Sequence, residues 1–229
     1  MKDVRFVLMD IEGTTTSISF VYEVLFPYFL NNIQRLERVK NIKQVRQAFD
    51  QVKEIVKNEE NLELNSDQEI INKLLVWSKE DRKVTPLKTV QGVLWQSGYK
   101  NGEIVGHVYP EVPSKFMEWK NKGLRMGIFS SGSVAAQKLL FGYTSLGDLN
   151  RYLEYYFDTN TGSKQDKRTY IEISRKINFE PHYILFLSDS IPELQAAEKA
   201  GFQTIQLTRL GTEPNWIVTA NDFNEIFFE

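Results

Sequence analysis

Two carboxylates two positions apart, Asp10 and Glu12, follow a mostly apolar run from Val4 to Met9 and precede Gly13. Along a strand, residues i and i+2 point to the same side, so both carboxylates can face one crevice once the chain turns at the glycine. Magnesium prefers carboxylate and carbonyl oxygens and commonly shares its site with substrate phosphates. The spacing therefore suits a Mg²⁺ site and phosphoryl transfer to a carboxylate. Asp and Gly are also frequent turn residues, so these residues alone leave an ordinary turn open.

Polar residues end three further segments of the chain. Ser130, with Ser131 and Gly132, follows the apolar run 124–129; Asp189 follows the run 183–187; and Lys164 lies in a loop before a predicted helix. In open α/β sheets, ligands bind outside the carboxyl ends of the strands. We therefore expect these side chains to converge with Asp10.

Each residue type answers a need of phosphoryl transfer. Ser130 and the amides that open the next helix can bind phosphate oxygens, and Lys164 can neutralise the phosphoryl group and the attacking carboxylate. Asp189 offers a second carboxylate to the metal, and Glu193 could hold a metal-bound water or orient Lys164. Glu12 is placed to act as general acid and then as general base.

Plainer interpretations of the same residues stay open. The Ser-Ser-Gly segment at 130–132 is typical of a helix cap, and Lys164 could be a solvated loop charge. Asp189 could cap the helix that begins near Pro192, and Glu193 could simply favour its first turn.

The elements that must position these residues alternate between strand and helix, which is typical of an α/β fold with a parallel sheet covered on both faces. Right-handed crossovers would then place the strand ends on one edge. Strands are predicted at 4–9, 124–129, 183–187 and 204–207, and helices at 114–122, 134–141, 167–177 and 192–200.

Residues 16–112 have a different character, with apolar residues at three- and four-residue intervals among many charged ones. This pattern predicts amphipathic helices. Pro27 lies inside the first helical pattern and should bend or interrupt it, whereas Pro86 suits the first turn of a helix running towards Gly98. We therefore predict a helical insertion at 16–112 within an α/β core formed by 1–15 and 113–229.

Composition narrows the class of protein. The 229 residues carry 28 Lys and Arg against 30 Asp and Glu, a formal charge of −2, which argues against a general nucleic-acid surface. The chain has no cysteine and two histidines, so any metal should be bound by oxygen. No segment resembles a signal peptide or a membrane span. We expect a monomer in the cytoplasm, and also in the nucleus if the source is eukaryotic.

In this order and spacing the residues resemble the four motifs of the haloacid dehalogenase superfamily, at Asp10 to Thr14, Ser130, Lys164 and Asp189 to Glu193. The resemblance implies a Rossmann-like core with an inserted helical cap and phosphorylation of Asp10 in the presence of Mg²⁺. It also implies metal binding by Asp10, Glu12 and Asp189. One departure is the glutamate at position 12, where most phosphatases of that superfamily carry aspartate.

That glutamate belongs to a narrower pattern, which resembles the acireductone-forming enolase-phosphatases of methionine salvage. The resemblance runs through the segments 10–16, 18–21, 25–28, 87–92, 130–133, 136–142 and 185–189. It implies enolisation and then hydrolysis of 2,3-diketo-5-methylthiopentyl-1-phosphate, which gives 1,2-dihydroxy-3-keto-5-methylthiopentene. Asp10, Glu12 and Lys164 would be catalytic, and Ser130, Ser131 and Lys164 would bind the substrate.

Two alternatives are kept. The chain could be a phosphatase of another small phosphate ester without the enolase step, or a catalytically silent protein that binds a phosphorylated metabolite. A change of the diketo phosphate's dicarbonyl absorbance to that of an enediol would distinguish the enolase-phosphatase from a phosphatase without the enolase step. Mg²⁺-dependent turnover that Asp10→Asn abolishes excludes the second.

Overall fold

The strands of the chain form a single parallel sheet. In the computed structural model, which describes residues 3–228, the sheet has six strands in the order β3-β2-β1-β4-β5-β6. The strands are β1 (Phe6–Met9), β2 (Arg125–Phe129), β3 (Tyr155–Phe157), β4 (Ile184–Ser188), β5 (Gln203–Leu207) and β6 (Thr219–Ala220). The expected α/β fold with a Rossmann-like parallel sheet is confirmed.

The strand β1 lies inside the sheet, between β2 and β4. All its residues are buried, because helices cover parallel sheets on both faces and their strands read as continuous apolar runs. Met9 is in register with Ile128 of β2 and Leu187 of β4. Asp10 therefore leaves the sheet at the same edge as the segments that follow β2 and β4.

Helices on the α/β part of the chain pack their apolar faces on this sheet. α9 and α10 share a core cluster with Phe6, Leu8 and Phe186, and α7 contacts β2. Their bounds are α7 (Val112–Asn121), α8 (Val134–Gly142), α9 (Lys167–Ile177) and α10 (Ile191–Lys199).

The chain divides into two compact units, one formed by 1–18 and 106–229 and the other by 19–105. The second unit is helical and has its own buried core, which includes Phe29, Phe49 and Trp77. Its helices are α2 (Phe26–Asn32), α3 (Leu36–Val39), α4 (Lys43–Glu60), α5 (Asp67–Lys79) and α6 (Thr85–Lys100), preceded by the short α1 (Ile18–Phe20). The insertion expected at 16–112 overlaps this unit, and its role as a cap stays a prediction.

The first helical segment is interrupted before its proline. A π-helical stretch at Val21–Leu25 separates α1 from α2, and Pro27 lies in the first turn of α2. Proline has no backbone N–H. In the first turn of a helix the N–H groups have no acceptor within the helix, so a proline there breaks no helical hydrogen bond. A bend or interruption was expected at Pro27; the structure instead changes to a π-helix at Val21–Leu25, before the proline, and the backbone stays helical through Pro27.

The α/β unit brings together the two points where the helical segment leaves and returns. His107 Nδ1 lies 2.7 Å from Thr16 Oγ1 and accepts a hydrogen bond from the Ser17 N–H at 3.3 Å. The Tyr109 N–H donates to the Thr15 carbonyl at 3.0 Å. Residues 15–17 and 107–109 therefore run side by side.

The structure also gives the strand limits. β1 and β2 begin two residues and one residue later than expected, and β4 is shifted by one, to Ile184–Ser188. The sequence prediction missed β3 and β6, because segments of three and two residues are too short to show a period. Across residues 3–228, no helix is long and apolar enough to cross a membrane.

Candidate active site

Asp10 follows the central strand directly and is almost wholly buried, with 4% of its surface exposed. Its N–H donates to the Leu187 carbonyl of β4 at 2.9 Å, which continues the sheet by one residue. Its Oδ1 accepts from the Ile11 N–H at 2.7 Å and lies 2.6 Å from Lys164 Nζ. The carboxylate is therefore fixed by main chain on one side and by a cation on the other.

Lys164 joins two carboxylates. Its Nζ contacts Asp10 Oδ1 and also Glu193 Oε2, at 2.7 Å, with only 11% of its side chain exposed. The Tyr170 hydroxyl of α9 donates to the Lys164 carbonyl at 2.7 Å, which anchors the loop. Burial lowers the pKa of Lys164, but the charges of Asp10 and Glu193 outweigh burial and raise it above its usual value. The side chain therefore stays a cation.

Glu12 lies in a tight turn after β1. The Thr14 N–H donates to the Ile11 carbonyl at 3.2 Å, and Gly13 has φ +70°. A turn with positive φ at its third residue favours glycine there. Burial and then the charge of Asp10 raise the pKa of Glu12, although Lys164 lowers it in part. A carboxyl group whose pKa is raised can hold a proton closer to neutral pH.

Asp189 follows β4 and lies against the same turn. A Cβ added to Gly13 would overlap the Asp189 carboxylate, with Cγ only 2.6 Å away. Burial and the charge of Asp10 raise the pKa of Asp189 to about 6. Asp10, Glu12 and Asp189 therefore influence each other at one edge of the sheet.

Ser188 connects the nucleophile candidate with Glu193, and sequence reasoning did not single it out. Its hydroxyl lies 3.4 Å from Asp10 Oδ2 and 3.1 Å from Glu193 Oε2. It also accepts from the Ser190 N–H at 3.1 Å. Burial, followed by the charge of Asp10, raises the pKa of Glu193 to about 7. The position of Ser188 at the end of a strand was the signal that could have revealed it.

Ser130 and Ser131 follow β2, the neighbour of β1. Ser130 is 1% exposed and its Oγ accepts from the Gly132 N–H at 3.1 Å, whereas Ser131 is exposed. The Ser130 hydroxyl therefore shapes the loop, and Ser131 is the more accessible of the two. Phosphate binding at these positions stays a prediction.

Two further residues hold this loop, and the sequence patterns assigned neither of them a role. Gln137 Nε2 donates to the carbonyls of Gly132 and Phe157, both at 2.8 Å, and Gln137 is 1% exposed. Asp158 accepts from the Val134 N–H at 3.3 Å, which satisfies a donor in the first turn of α8. The loop after β2 is thus tied to the end of β3.

The oxygen donors fit a hard divalent cation held by few protein ligands. Among residues 3–228, no three His, Asp or Glu side chains are arranged to hold a metal ion by themselves. Mg²⁺ commonly uses one or two carboxylates and completes its shell with water and phosphate. Four carboxyl groups, those of Asp10, Glu12, Asp189 and Glu193, interact with the single ammonium of Lys164, so acidic groups are in excess; burial and then the charge of Asp10 raise the pKa values of Asp189 and Glu193. A cation near Asp10 and Asp189 would offset that excess.

Comparisons with known proteins agree with this geometry. Residues 4–201 match a family model described as haloacid dehalogenase-like hydrolase. The chain is 50% identical to an enolase-phosphatase E1 of Picosynechococcus sp. over 91% of each chain. It is 40% identical to an enolase-phosphatase E1 of Pseudomonas fluorescens over 97% of each. The crystal structure of the UTR4 protein of Saccharomyces cerevisiae superposes with a TM-score of 0.82 at 33% identity, over 97% of this chain and 100% of that one.

Proposed function

Because the chain belongs to the enolase-phosphatases among the haloacid dehalogenase-like hydrolases, we propose that it enolises and dephosphorylates 2,3-diketo-5-methylthiopentyl-1-phosphate. The product is 1,2-dihydroxy-3-keto-5-methylthiopentene, in methionine salvage. The observation that carries the proposal is the buried contact of Lys164 with Asp10 and Glu193. That contact places a fixed cation beside a carboxylate that can attack phosphorus.

Asp10 is the proposed nucleophile. Its Oδ1 is held by Lys164 and the Ile11 N–H, while Oδ2 has only the longer contact with Ser188 at 3.4 Å. We therefore assign the attack to Oδ2. The bond from Oδ2 to phosphorus forms as the bond from phosphorus to the substrate oxygen breaks, which leaves an acyl phosphate on Asp10.

Lys164 lowers the repulsion between this carboxylate and the phosphate. Two anions must approach each other in the attack, and a buried ammonium beside them stabilises the charge that they share. Its raised pKa keeps it charged at neutral pH. Glu193, on the other side of Nζ, orients the ammonium.

Glu12 is proposed to move the protons. As a carboxylate it removes a proton from C1 next to the carbonyl, while the oxygen on C2 takes a proton from solvent, which gives the enol. The protonated Glu12 then donates to the leaving oxygen. In the last step it takes a proton from the water that attacks the acyl phosphate, which breaks the bond from phosphorus to Oδ2 and releases phosphate and free Asp10; Glu12 then returns this proton to solvent, which restores its carboxylate. Its raised pKa suits a group that must alternate between both forms.

The donor set fits Mg²⁺, with the carboxylates of Asp10 and Asp189 and the main-chain oxygen of Glu12 as the proposed ligands. The proposal uses the Glu12 carboxyl group for proton transfer, which leaves the main-chain oxygen of Glu12 for the metal. When bound, the ion would neutralise charge on the phosphate oxygens. Ser131 and the amides after β2 are proposed to bind the substrate. The monomeric state and the cytoplasmic location stay predictions.

The test supplies the diketo phosphate with Mg²⁺ and follows the absorbance of the dicarbonyl together with release of phosphate. We expect both signals in the wild type, and a loss of phosphate release by about 10⁴-fold or more in Asp10→Asn. Asp148→Asn is the matched control, because Asp148 is exposed and its Oδ1 accepts from the Asn150 N–H, which is not part of the site. Phosphate release that persists in Asp10→Asn would refute the assignment.

Glu12→Gln separates the proton chemistry from the nucleophile. The amide cannot exchange a proton, so we expect both enolisation and hydrolysis to fall by about 10² to 10⁴-fold. The same two signals measure this. Normal enolisation with hydrolysis lost would mean that another residue is the enolisation base.

A further inference from the structure

Arg209, two residues after β5, is a buried arginine that reaches the loop carrying Glu12. It is 7% exposed. Its Nε and Nη2 donate to the Thr14 carbonyl at 3.2 and 2.9 Å, across 195 positions of sequence. Nη2 also contacts Glu111 Oε1 at 2.6 Å, and Nη1 donates to the Asn221 carbonyl at 3.4 Å. One guanidinium thus joins three separate segments of the α/β unit.

The surroundings of this group require an arginine. The guanidinium carbon lies 3.9 Å from the centre of the Tyr109 ring, as a planar cation stacked on an aromatic face does. A fork with several fixed donors serves Thr14, Glu111 and Asn221 at once, and a lysine ammonium cannot reproduce that arrangement. Because burying an ion pair costs much of the energy that it returns, stability alone is a weak reason for this pair.

Arg209 holds a carbonyl at the end of the turn that carries Glu12. Ile11, Glu12, Gly13 and Thr14 form a four-residue turn closed by the hydrogen bond from the Thr14 N–H to the Ile11 carbonyl. Thr14 is the last residue of that turn. Its carbonyl belongs to the peptide that leaves the turn, so Arg209 restrains the chain two residues after Glu12. The Gly13 N–H, in the peptide directly after Glu12, donates to the Thr16 carbonyl at 2.9 Å and links that restrained segment back to Glu12.

Asp10 has supports that Arg209 does not touch, although its carbonyl also accepts from the Thr15 hydroxyl at 3.1 Å, beside the peptide that Arg209 holds. It is held by the Leu187 carbonyl, the Ile11 N–H and Lys164, and Arg209 contacts none of these. Loss of the arginine should therefore displace Glu12 more than the nucleophile.

We propose that Arg209, supported by Tyr109 and Glu111, is a positioning residue that aligns Glu12 for proton transfer. The inference rests on the proposed function, in which Glu12 protonates the leaving oxygen while Asp10 attacks phosphorus. Arg209 then matters for esters whose leaving oxygen needs a proton. It matters little for esters whose leaving group departs as a stable anion.

The experiment compares kcat/KM on the diketo phosphate and on 4-nitrophenyl phosphate, whose nitrophenolate leaves without a proton. This ratio reports the steps up to cleavage of the ester bond. For Arg209→Lys we expect a fall of about 10 to 100-fold on the diketo phosphate, within the range of acid–base contributions, and less than about threefold on 4-nitrophenyl phosphate. Asp10→Asn should lose both activities. Arg175→Gln, at an arginine whose side chain is 75% exposed, should keep both.

The outcomes are distinguishable. A wild type that does not turn over the diketo phosphate refutes the proposed function. Equal losses on both substrates in Arg209→Lys, or no loss on either, overturn the role of Arg209. If Arg209→Lys does not fold, Tyr109→Leu carries the test, because it removes the stacked ring but no charge, and the same selective loss is expected. Failure of both variants to fold would make the cluster purely structural and would also overturn the proposal.

Discussion

Gly13 meets two structural demands that no other residue type can meet together. Its φ of +70° lies in the left-handed region, and its Cα lies so close to Asp189 that a side chain would overlap the carboxylate. The first demand concerns the main chain and the second concerns the proposed metal ligand. The two can be separated by comparing glycines.

Gly13→Ala should lower activity by about 10-fold or more and raise the Mg²⁺ concentration needed for half-maximal activity, because Asp189 must move. Gly123→Ala is the matched control: Gly123 has φ +82° and open space around its Cα, so it carries the same strain of about 1 to 2 kcal/mol without the overlap. We expect it to lower the melting temperature but leave the Mg²⁺ dependence unchanged. Similar Mg²⁺ dependence in both variants would contradict this account.

The site residues divide by how far their partners lie along the chain. Asp10, Glu12, Lys164 and Asp189 could be predicted, because each follows a strand or precedes a helix in a recognisable pattern. Arg209 could not, since its acceptor on Thr14 is 195 positions away and no local spacing marks it. The roles of Gln137 and Asp158 likewise appear only when loops from different strands meet, whereas Ser188 was marked by its position at the end of β4.

The spacing of apolar residues predicted most of the long helices and strands, but few of the short ones. The helix at Lys167–Ile177 was predicted with its observed limits, since alternate polar and apolar faces run through all three turns. Residues Val112 and Ile191 begin their helices earlier than expected because a proline follows each one within the first turn. The strand Tyr155–Phe157 forms by pairing with β2, and its three residues are too few to show an alternation of polar and apolar side chains.

The helix α5 shows an element set by its cap. Ser66 Oγ accepts from the Glu69 N–H at 3.2 Å, and Glu69 Oε2 accepts from the Ser66 N–H at 3.2 Å. Ser66→Ala should destabilise α5 by about 1 kcal/mol, because it leaves an N–H of the first turn without an acceptor. Faster hydrogen exchange within 67–79 checks this. Glu69→Gln keeps a capping acceptor and should leave exchange near the wild-type rate, so equal acceleration in both would count against the cap.

The acidic cluster makes the stability of the folded protein depend on pH and on a bound metal ion. Burial and the charge of Asp10 raise the pKa of Asp189 to about 6 and that of Glu193 to about 7. The folded protein therefore holds protons that the unfolded chain has released by about pH 5. The stability from these groups is present below their unfolded pKa values and is lost as pH rises through the folded values. His107 acts in the opposite sense, because burial lowers its pKa.

We expect Mg²⁺ to raise the melting temperature more at pH 7.5 than at pH 5.5. Each kcal/mol of stability that the ion adds should raise the melting temperature by roughly 2 to 4 °C. The ion favours the ionised carboxylates, which are scarcer at the lower pH. Asp189→Asn should remove most of the difference, and Asp148→Asn should retain it. Scanning calorimetry at both pH values measures the shifts. An equal shift at the two pH values would show that these carboxyl groups do not govern metal binding.

Residues 15–17 and 107–109 run side by side, so the chain leaves for the helical unit at 19–105 and returns from it at neighbouring points. The contact between Thr16 and His107 holds these two points together. A loop of a few residues could therefore replace the helical unit at a small cost in loop-closure entropy. Domain insertions are best tolerated where the two ends meet in this way. The helical unit can therefore be exchanged, shortened or replaced during evolution while the parallel sheet and its carboxylates keep their positions.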